Sequence, residues 1–377
     1  MLMRRVSSSG PSAVVRARSP LTTAWESQLQ VGEMKDHSRN RSSEPWSFNN
    51  GEFESTNRQA NWTNEVAVNE RVKAQLGVEH LQQRGASTAF DPNFANVLTE
   101  FDRNVTSVWG GVNGRTDRQL VQVNVRVDKY SDVGSATTGL VSYGYKLTPE
   151  WRAIAQVSNA FRAPSFSDLY YPFFGNPDLK PEESKNLELD FSGRYTAWDW
   201  SVNLYRNQIQ NLISCQSAFS SCKPDNTDAE IRGVEVALGL ETGPLHHDLS
   251  FDYTKTEDKN DGDQQLLRRA KQKVSWLTQV QLGQVDLSTE LLYVGKRDDK
   301  NFSSFPAERV VLSSYTLVNL GASYGVTPAL TLGGRIDNLF DAQQRVTDGN
   351  GEVPISYQPD FVDPKGRFFE IDFRKRF

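Results

Sequence analysis

Apolar and polar residues alternate with a period of two from one end of the chain to the other. In LVQVNVRVD, Val121, Val123, Val125 and Val127 form one face, while Gln122, Asn124, Arg126 and Asp128 form the other. AWDWSVNLYRN sets Trp198, Trp200, Val202 and Leu204 against Asp199, Ser201, Asn203 and Tyr205. KVSWLTQVQL, VDLSTELLY and NLELDF repeat the pattern. So does the C-terminal GRFFEIDFRKRF, where Phe369, Ile371 and Phe373 alternate with Glu370, Asp372 and Arg374 before a last Phe377. A two-residue period predicts strands with one apolar face, and no segment has a convincing helical period.

A soluble β-sandwich and a membrane barrel both alternate, so strand length, the polar face and the connections must decide. Sandwich strands average about six residues, whereas a membrane strand needs roughly 9 to 11. These runs often reach ten, and their polar face carries ionised residues along its length, as a water-filled lumen does. Connections alternate short and long. LTPE (147–150), YTAWD (195–199), TGPLHH (242–247), LGQVD (282–286) and YGVTPA (324–329) read as tight turns. Long polar segments near 82–100, 160–183, 210–228, 257–266, 297–308 and 340–366 lie between them. Short periplasmic turns and long external loops are the outer-membrane arrangement. The expected fold is an all-β antiparallel transmembrane barrel of about sixteen strands, with 82–100, 160–183 and 340–366 outside the cell and TGPLHH in the periplasm. The last strand then ends on the periplasmic side with Phe377 at the interface, where aromatic girdles lie.

Composition narrows the class further. The chain has 377 residues, 37% of them hydrophobic, and no apolar run approaches the length of a spanning helix. A net charge of -5 argues against a nucleic-acid partner. The opening MLMRRVSSSGPSAVVRARSP has early arginines but no apolar core and no cleavage site, so residues 1–19 read as a leader outside the fold and 20–377 as barrel. Cys215 and Cys222 flank a polar stretch. In an oxidising compartment they close a loop stabilised by about 2.5 kcal/mol; the alternative is two unrelated thiols.

Three stretches go beyond alternation: SNAFRAPSFSDLYYPFFGNPDLKPEESKNLELD (158–190), AEIRGVEVAL (229–238) and LGGRIDNLFDAQ (332–343). Together they resemble the C-terminal half of TonB-dependent outer-membrane receptors, over roughly residues 20 to 377. TGPLHHDLSFDYTKTEDKNDGDQQLLRRAKQKVSW and GKRDDKNFSSFP are most similar to the cobalamin receptors of that family. The resemblance implies a Gram-negative outer-membrane transporter, no enzyme and no cofactor. Its implied partners are cobalamin as cargo, TonB for the full-length receptor, and outer-membrane lipid around a monomer. It also implies a barrel of twenty-two strands preceded by a TonB box and a plug, so this chain reads as a C-terminal fragment lacking the plug and about six strands. Local physics accounts for the motifs themselves. Pro164 stops ladder pairing, Leu179-Lys180-Pro181-Glu182 restarts a strand, Gly233 marks a bulge or a close backbone approach, and Asn338-Leu339-Phe340-Asp341 makes a turn.

The resemblance also carries candidate ligand residues. In LLRRAKQ, read as the outer end of a strand, only one arginine points inward, and Arg268 matches the one that approaches cobalamin; the rival reading is an arginine at the lipid headgroup level. Phe302 stands where those receptors offer a tyrosine, which preserves stacking but removes a hydrogen bond. DKNDGD (258–263) gathers carboxylates, yet Arg269 stands where a bidentate Glu would close a calcium loop, so it reads as a solvated loop. His37, His80, His246 and His247 group with no nucleophile and show no metal-ligand spacing. Three rival functions remain: a siderophore or haem receptor on the same fold, a passive sixteen-stranded porin suggested by the strand count, and a soluble β-sandwich adhesin. The LKPE and NLFD stretches count against the porin, and lipid-facing Trp198, Trp200 and Trp276 against the adhesin.

Overall fold

The computed structural model describes residues 7–8, 12–40, 51–91, 95–171, 175–215, 223–301, 308–343, 346–348, 351–352 and 366–375. The chain starts with β1 (Ser7–Ser8), β2 (Ser12–Pro20), β3 (Trp25–Asn40), β4 (Gly51–Asn69), β5 (Val72–Asp91) and β6 (Ala95–Arg115). β7 (Gln119–Tyr130), β8 (Ser135–Lys146) and β9 (Trp151–Arg162) follow, then the helix α1 (Phe166–Tyr170). Next come β10 (Glu182–Arg194), β11 (Trp198–Cys215), β12 (Pro224–Thr242), β13 (Leu245–Asp258), β14 (Gln272–Leu282) and β15 (Val285–Val294). The last part holds β16 (Arg297–Asn301), β17 (Glu308–Leu312), β18 (Tyr315–Thr327), β19 (Leu330–Asp337), β20 (Val346–Asp348), β21 (Gly351–Glu352) and β22 (Phe368–Lys375).

Eighteen of these strands form one antiparallel meander, or seventeen when the two-residue β1 is set aside. From β2 to β15 every strand pairs with the next, and β15–β18, β18–β19 and β19–β22 complete the order. β16, β17, β20 and β21 form a separate four-stranded sheet. At one end every connection has four residues or fewer: 21–24, 70–71, 116–118, 147–150, 195–197, 243–244, 283–284 and 328–329. Gly243 and Gly283 open two of these turns at φ of 62° and 66°, a region other residues enter only at a cost. At the other end lie the long connections, including 163–181 and 259–271, with a four-residue exception among the described residues at 131–134.

The apolar face is turned out. Val121, Val123, Val125 and Val127 are 39 to 53% exposed, while Asp128 on the opposite face is buried. Exposed Leu76, Val108, Val157, Phe191, Leu204, Phe251, Leu287 and Leu332 extend that face across the sheet. In water such a surface would aggregate; in hydrocarbon it is solvated. At the short-turn end, aromatic rings close the band. Trp151 lies edge-on to Trp200 at 5.5 Å between ring centroids, and Tyr195 stacks on Trp198 at 4.4 Å. β5 and β6 have 20 and 21 residues, about twice the length needed to cross a bilayer, so they stand well above it at the long-loop end.

Several details depart from the sequence reading. The main sheet has seventeen full strands, in keeping with about sixteen, but its ladder runs back through Ser12–Pro20, within the segment 1–19 that the sequence suggests as a leader. Residues 82–100 are mostly strand, because β5 and β6 pair up to Asp91 and Ala95; polar residues that rise above the membrane on both faces lose the alternation a sequence reading relies on. The five-residue α1 was not anticipated. Arg268 and Arg269 lie in the 259–271 connection and not on a strand, so alternation says nothing about their directions. Among the described residues no pairing joins β2 to β22, the two outer strands of the meander.

Candidate functional site at the long-loop end

Connection 163–181 is drawn against the inner face of the sheet. Pro164 ends β9, and Ser165 and Asp168 cap α1 reciprocally, the Asp168 N–H donating to Ser165 Oγ at 3.1 Å and the Ser165 N–H to Asp168 Oδ2 at 2.9 Å. This turn presents Phe166 and Tyr170 to Phe101, at centroid distances of 4.2 and 6.4 Å. Phe101, Arg103 and Ser107 share the face opposite exposed Val108 and Val112. Gly85 makes room for the ring, since a Cβ there would come within 2.4 Å of Phe101. Arg103 is 5% exposed and joins three partners. It donates to both Asp132 carboxylate oxygens at 2.7 and 3.0 Å and to the Pro164 carbonyl at 3.0 Å, and its guanidinium lies 4.8 Å from the Phe166 ring centre.

The LKPE stretch clasps the other end of that connection. Glu182 accepts from Arg162 Nε at 2.7 Å and from the Ile213 N–H at 2.7 Å. Asn226 accepts from the Lys180 N–H at 2.8 Å and donates to the Lys180 and Asn211 carbonyls at 3.1 and 2.7 Å. The NLFD turn is held as firmly. Asn338, at φ 50°, both donates to and accepts from Ala342, and Asp341 accepts from the Arg367 N–H at 3.0 Å where β22 begins. Gly233 proves to be a close approach. Its Cβ would lie 2.6 Å from the Tyr205 hydroxyl, which is bonded to Thr254 at 2.8 Å.

Connection 259–271 docks on the β16–β17 hairpin. Arg268, at φ 61°, donates Nε to Asp299 Oδ1 at 3.1 Å and its backbone N–H to the Asp298 carbonyl at 2.7 Å. Asp299 is fully buried, and Arg309 holds Asp298 at 2.7 and 3.0 Å. Asp258 accepts from Thr227 and from the Asn260 N–H, which ties DKNDGD to its own strand ends. Lys259 bonds Glu257 and Asp263, and these carboxylates hold its ammonium above the ordinary lysine range. Phe302, Cys222 and Phe377 lie outside the described residues, and Cys215 is the last residue of β11.

Deeper on the inner face, Arg126 bridges Glu79 at 2.9 Å, Asp128 at 2.8 Å and Ser107 at 2.8 Å. Nearer the short turns, Asp286, Arg335, Glu370 and Arg374 line a recess of about 830 Å³ with His246, whose ring is bonded to Glu241 at 2.7 Å. The inner wall thus carries ion pairs near the long-loop end, deeper in, and near the short turns. Arg103 and Asp132 escaped the sequence reading because they sit about thirty residues apart, one on a strand and one in a short turn. The one available signal was an arginine in phase with the polar face of β6.

A family model described as TonB dependent receptor-like, beta-barrel matches residues 13–339. A vitamin B12 transporter BtuB of Vibrio cholerae serotype O1 is 30% identical over 333 residues, which cover 88% of this chain and 53% of that protein. The vitamin B12 transporter BtuB of Photobacterium profundum is 34% identical over 323 residues, covering 84% and 51%. The chain therefore spans about half the length of the curated relatives it matches. Among solved structures, the copper transporter OprC superposes with a TM-score of 0.77 at 16% identity, over 97% of this chain and 67% of that one. The siderophore receptor PirA from Acinetobacter baumannii gives 0.75 at 16% identity, over 97% and 62%.

Proposed function

This chain belongs to the TonB-dependent receptor-like β-barrel family of Gram-negative outer membranes, and from that premise we propose that it serves the TonB-coupled uptake of a cobalamin. The observation that carries this reading is 30 to 34% identity to vitamin B12 transporters along most of the chain. The copper and siderophore proteins match at 16%, a level that speaks for the fold and not for the cargo. In this reading the barrel is the part of a receptor that stands in lipid as a monomer. Its outer connections, 163–181 and 259–271 with the β16–β17 hairpin, capture the ligand, and TonB supplies the energy for release through the full-length receptor. Joined behind the upstream half of the Photobacterium relative, the chain is expected to support cobalamin-dependent growth of a receptor-deficient strain. Growth on a ferric siderophore in place of cobalamin would move the assignment to the rival cargo.

Arg268 and Phe302 are the proposed ligand contacts, and Arg268 also donates to Asp299. In that chimera Arg268→Ala is expected to weaken cobalamin binding by about 1 to 3 kcal/mol, the range for a lost buried polar contact, and Arg269→Ala to matter far less. Asp299→Asn separates contact from scaffolding. A binding loss from Arg268→Ala that Asp299→Asn does not reproduce supports direct contact, whereas equal losses reduce Arg268 to a brace between the connection and the hairpin.

The orientation has its own check. A cysteine placed at Asp261 is expected to react with an impermeant reagent added to whole cells, and one at Pro244 to stay unlabelled until the outer membrane is opened. The reverse result would invert the barrel.

A further inference from the structure

Four neighbouring strands carry a charge pattern on the lipid-facing side, on the face opposite the lumen. The pairing register places Leu189, Leu204, Val234 and Tyr253 side by side on β10 to β13. Two residues closer to the long-loop end, the row reads Leu187, Arg206, Arg232, Lys255. Two further on, it reads Lys185, Gln208, Glu230, Glu257. Alternate residues share a face, so all three rows lie on the side where Leu187, Leu204 and Tyr253 are exposed.

The height of the middle row is fixed by the same ladder. From Trp198, in the aromatic band at the short-turn end, to Arg206 is about nine residues, the length a tilted strand needs to cross the hydrocarbon. Arg206, Arg232 and Lys255 therefore stand at the outer boundary of the apolar band, where an anionic headgroup begins.

Three cations directly opposed on adjacent strands repel one another, and cations at the edge of hydrocarbon require counter-charge. The chain supplies part of it. Arg206 bonds Glu230 at 2.7 Å, Arg232 reaches Glu257 at 3.2 Å and Glu230 at 3.6 Å, and Lys255 bonds Glu257 at 2.6 Å. Two carboxylates, Glu230 and Glu257, thus serve these three cations, and Glu257 is shared with Lys259, which has Asp263 as a second partner. Both carboxylates approach from the row above, which leaves the membrane side of the cations open; the side chains of Arg206, Arg232 and Lys255 are 54%, 48% and 45% exposed. The lower two rows line a groove of about 330 Å³, apolar on its membrane side and cationic at its outer rim.

We propose that this groove binds a phosphate-bearing lipid of the outer leaflet, with an acyl chain along Leu189, Leu204, Val234 and Tyr253 and a phosphate on Arg206, Arg232 and Lys255. Two guanidinium forks and an ammonium at one height suit a phosphate, and the carboxylates behind them hold the arginines extended. The apolar row favours a lipid over free phosphate. The assignment holds whichever cargo the barrel carries, so it stands or falls separately from the uptake reading.

The test is titration of the chimera, in which this chain follows the upstream half of the Photobacterium relative, purified in detergent micelles, with bisphosphorylated lipid A and with the same lipid after removal of both phosphates, followed by native mass spectrometry. The parent chimera is expected to retain the phosphorylated lipid at least tenfold more tightly. The combined Arg206→Gln, Arg232→Gln, Lys255→Gln variant should abolish that preference while leaving the dephosphorylated lipid unaffected. Should that variant misfold, Glu230→Gln with Glu257→Gln gives the opposite reading, because freeing the cations should tighten retention of the phosphorylated lipid. Equal retention of both lipids by the parent, weaker retention by the Glu variant, or displacement by equimolar inorganic phosphate would overturn the proposal.

Discussion

Given a signal peptide, the 377-residue chain on its own is expected not to accumulate as a heat-modifiable outer-membrane barrel and to be mostly degraded. β2 and β22 each pair on one side only among the described residues, and β22 alone is eight residues long. Every second residue of an edge strand turns its N–H and C=O to the open side, so each edge presents about eight backbone groups. In hydrocarbon each costs several kcal/mol unpaired, and the sum exceeds the roughly 5 to 15 kcal/mol of net stability a folded domain has. Direct β2–β22 pairing would require a changed tilt and shear, with side chains suited to a wide lumen crowded into a narrower one. The same chain behind an upstream segment that covers both edges should show the mobility difference between boiled and unboiled samples. Stable insertion of the chain alone, with ion conductance across a planar bilayer, would overturn this and favour the passive porin.

Arg103→Ala should have the largest effect of any single substitution at the long-loop end. It removes a buried cation from the Asp132 carboxylate, the Pro164 carbonyl and the Phe166 ring together. Breaking a buried pair by deleting one partner costs about 3 to 5 kcal/mol, and Asp132, three-quarters buried, puts the expected loss near the lower figure. The measurable consequence is local: connection 163–181 should be released from the inner face and cut by protease much faster, while the β-sheet signal persists. Arg103→Lys keeps the charge but not the fork, and should fall between the two. Parent-like resistance in Arg103→Ala would show that the Phe101–Phe166 stack suffices to hold the connection.

Much of the architecture was legible because a membrane strand imposes a strict rule on its own sequence. Val121 to Val127 must face lipid at every second position, so the alternation, the outward face and the short turns could be read without coordinates. The same rule lapses above the bilayer, where both faces of β5 and β6 meet water; there residues 82–100 looked like loop while the ladder continued to Asp91 and Ala95. Arg268 shows the limit for the site. A motif pointed to the residue, but its direction comes from a left-handed backbone turn and from Asp299, thirty-one residues away, and no periodicity encodes either. The row of Arg206, Arg232 and Lys255 is the same kind of fact. Each residue taken alone continues an ordinary strand pattern, and only the register, set by how long strands pair through their turns, brings three cations to one height. The sequence by itself determined which face each residue shows, because that depends on one strand; which residues meet was left to the tertiary structure, because pairing distance along the chain carries no local signal.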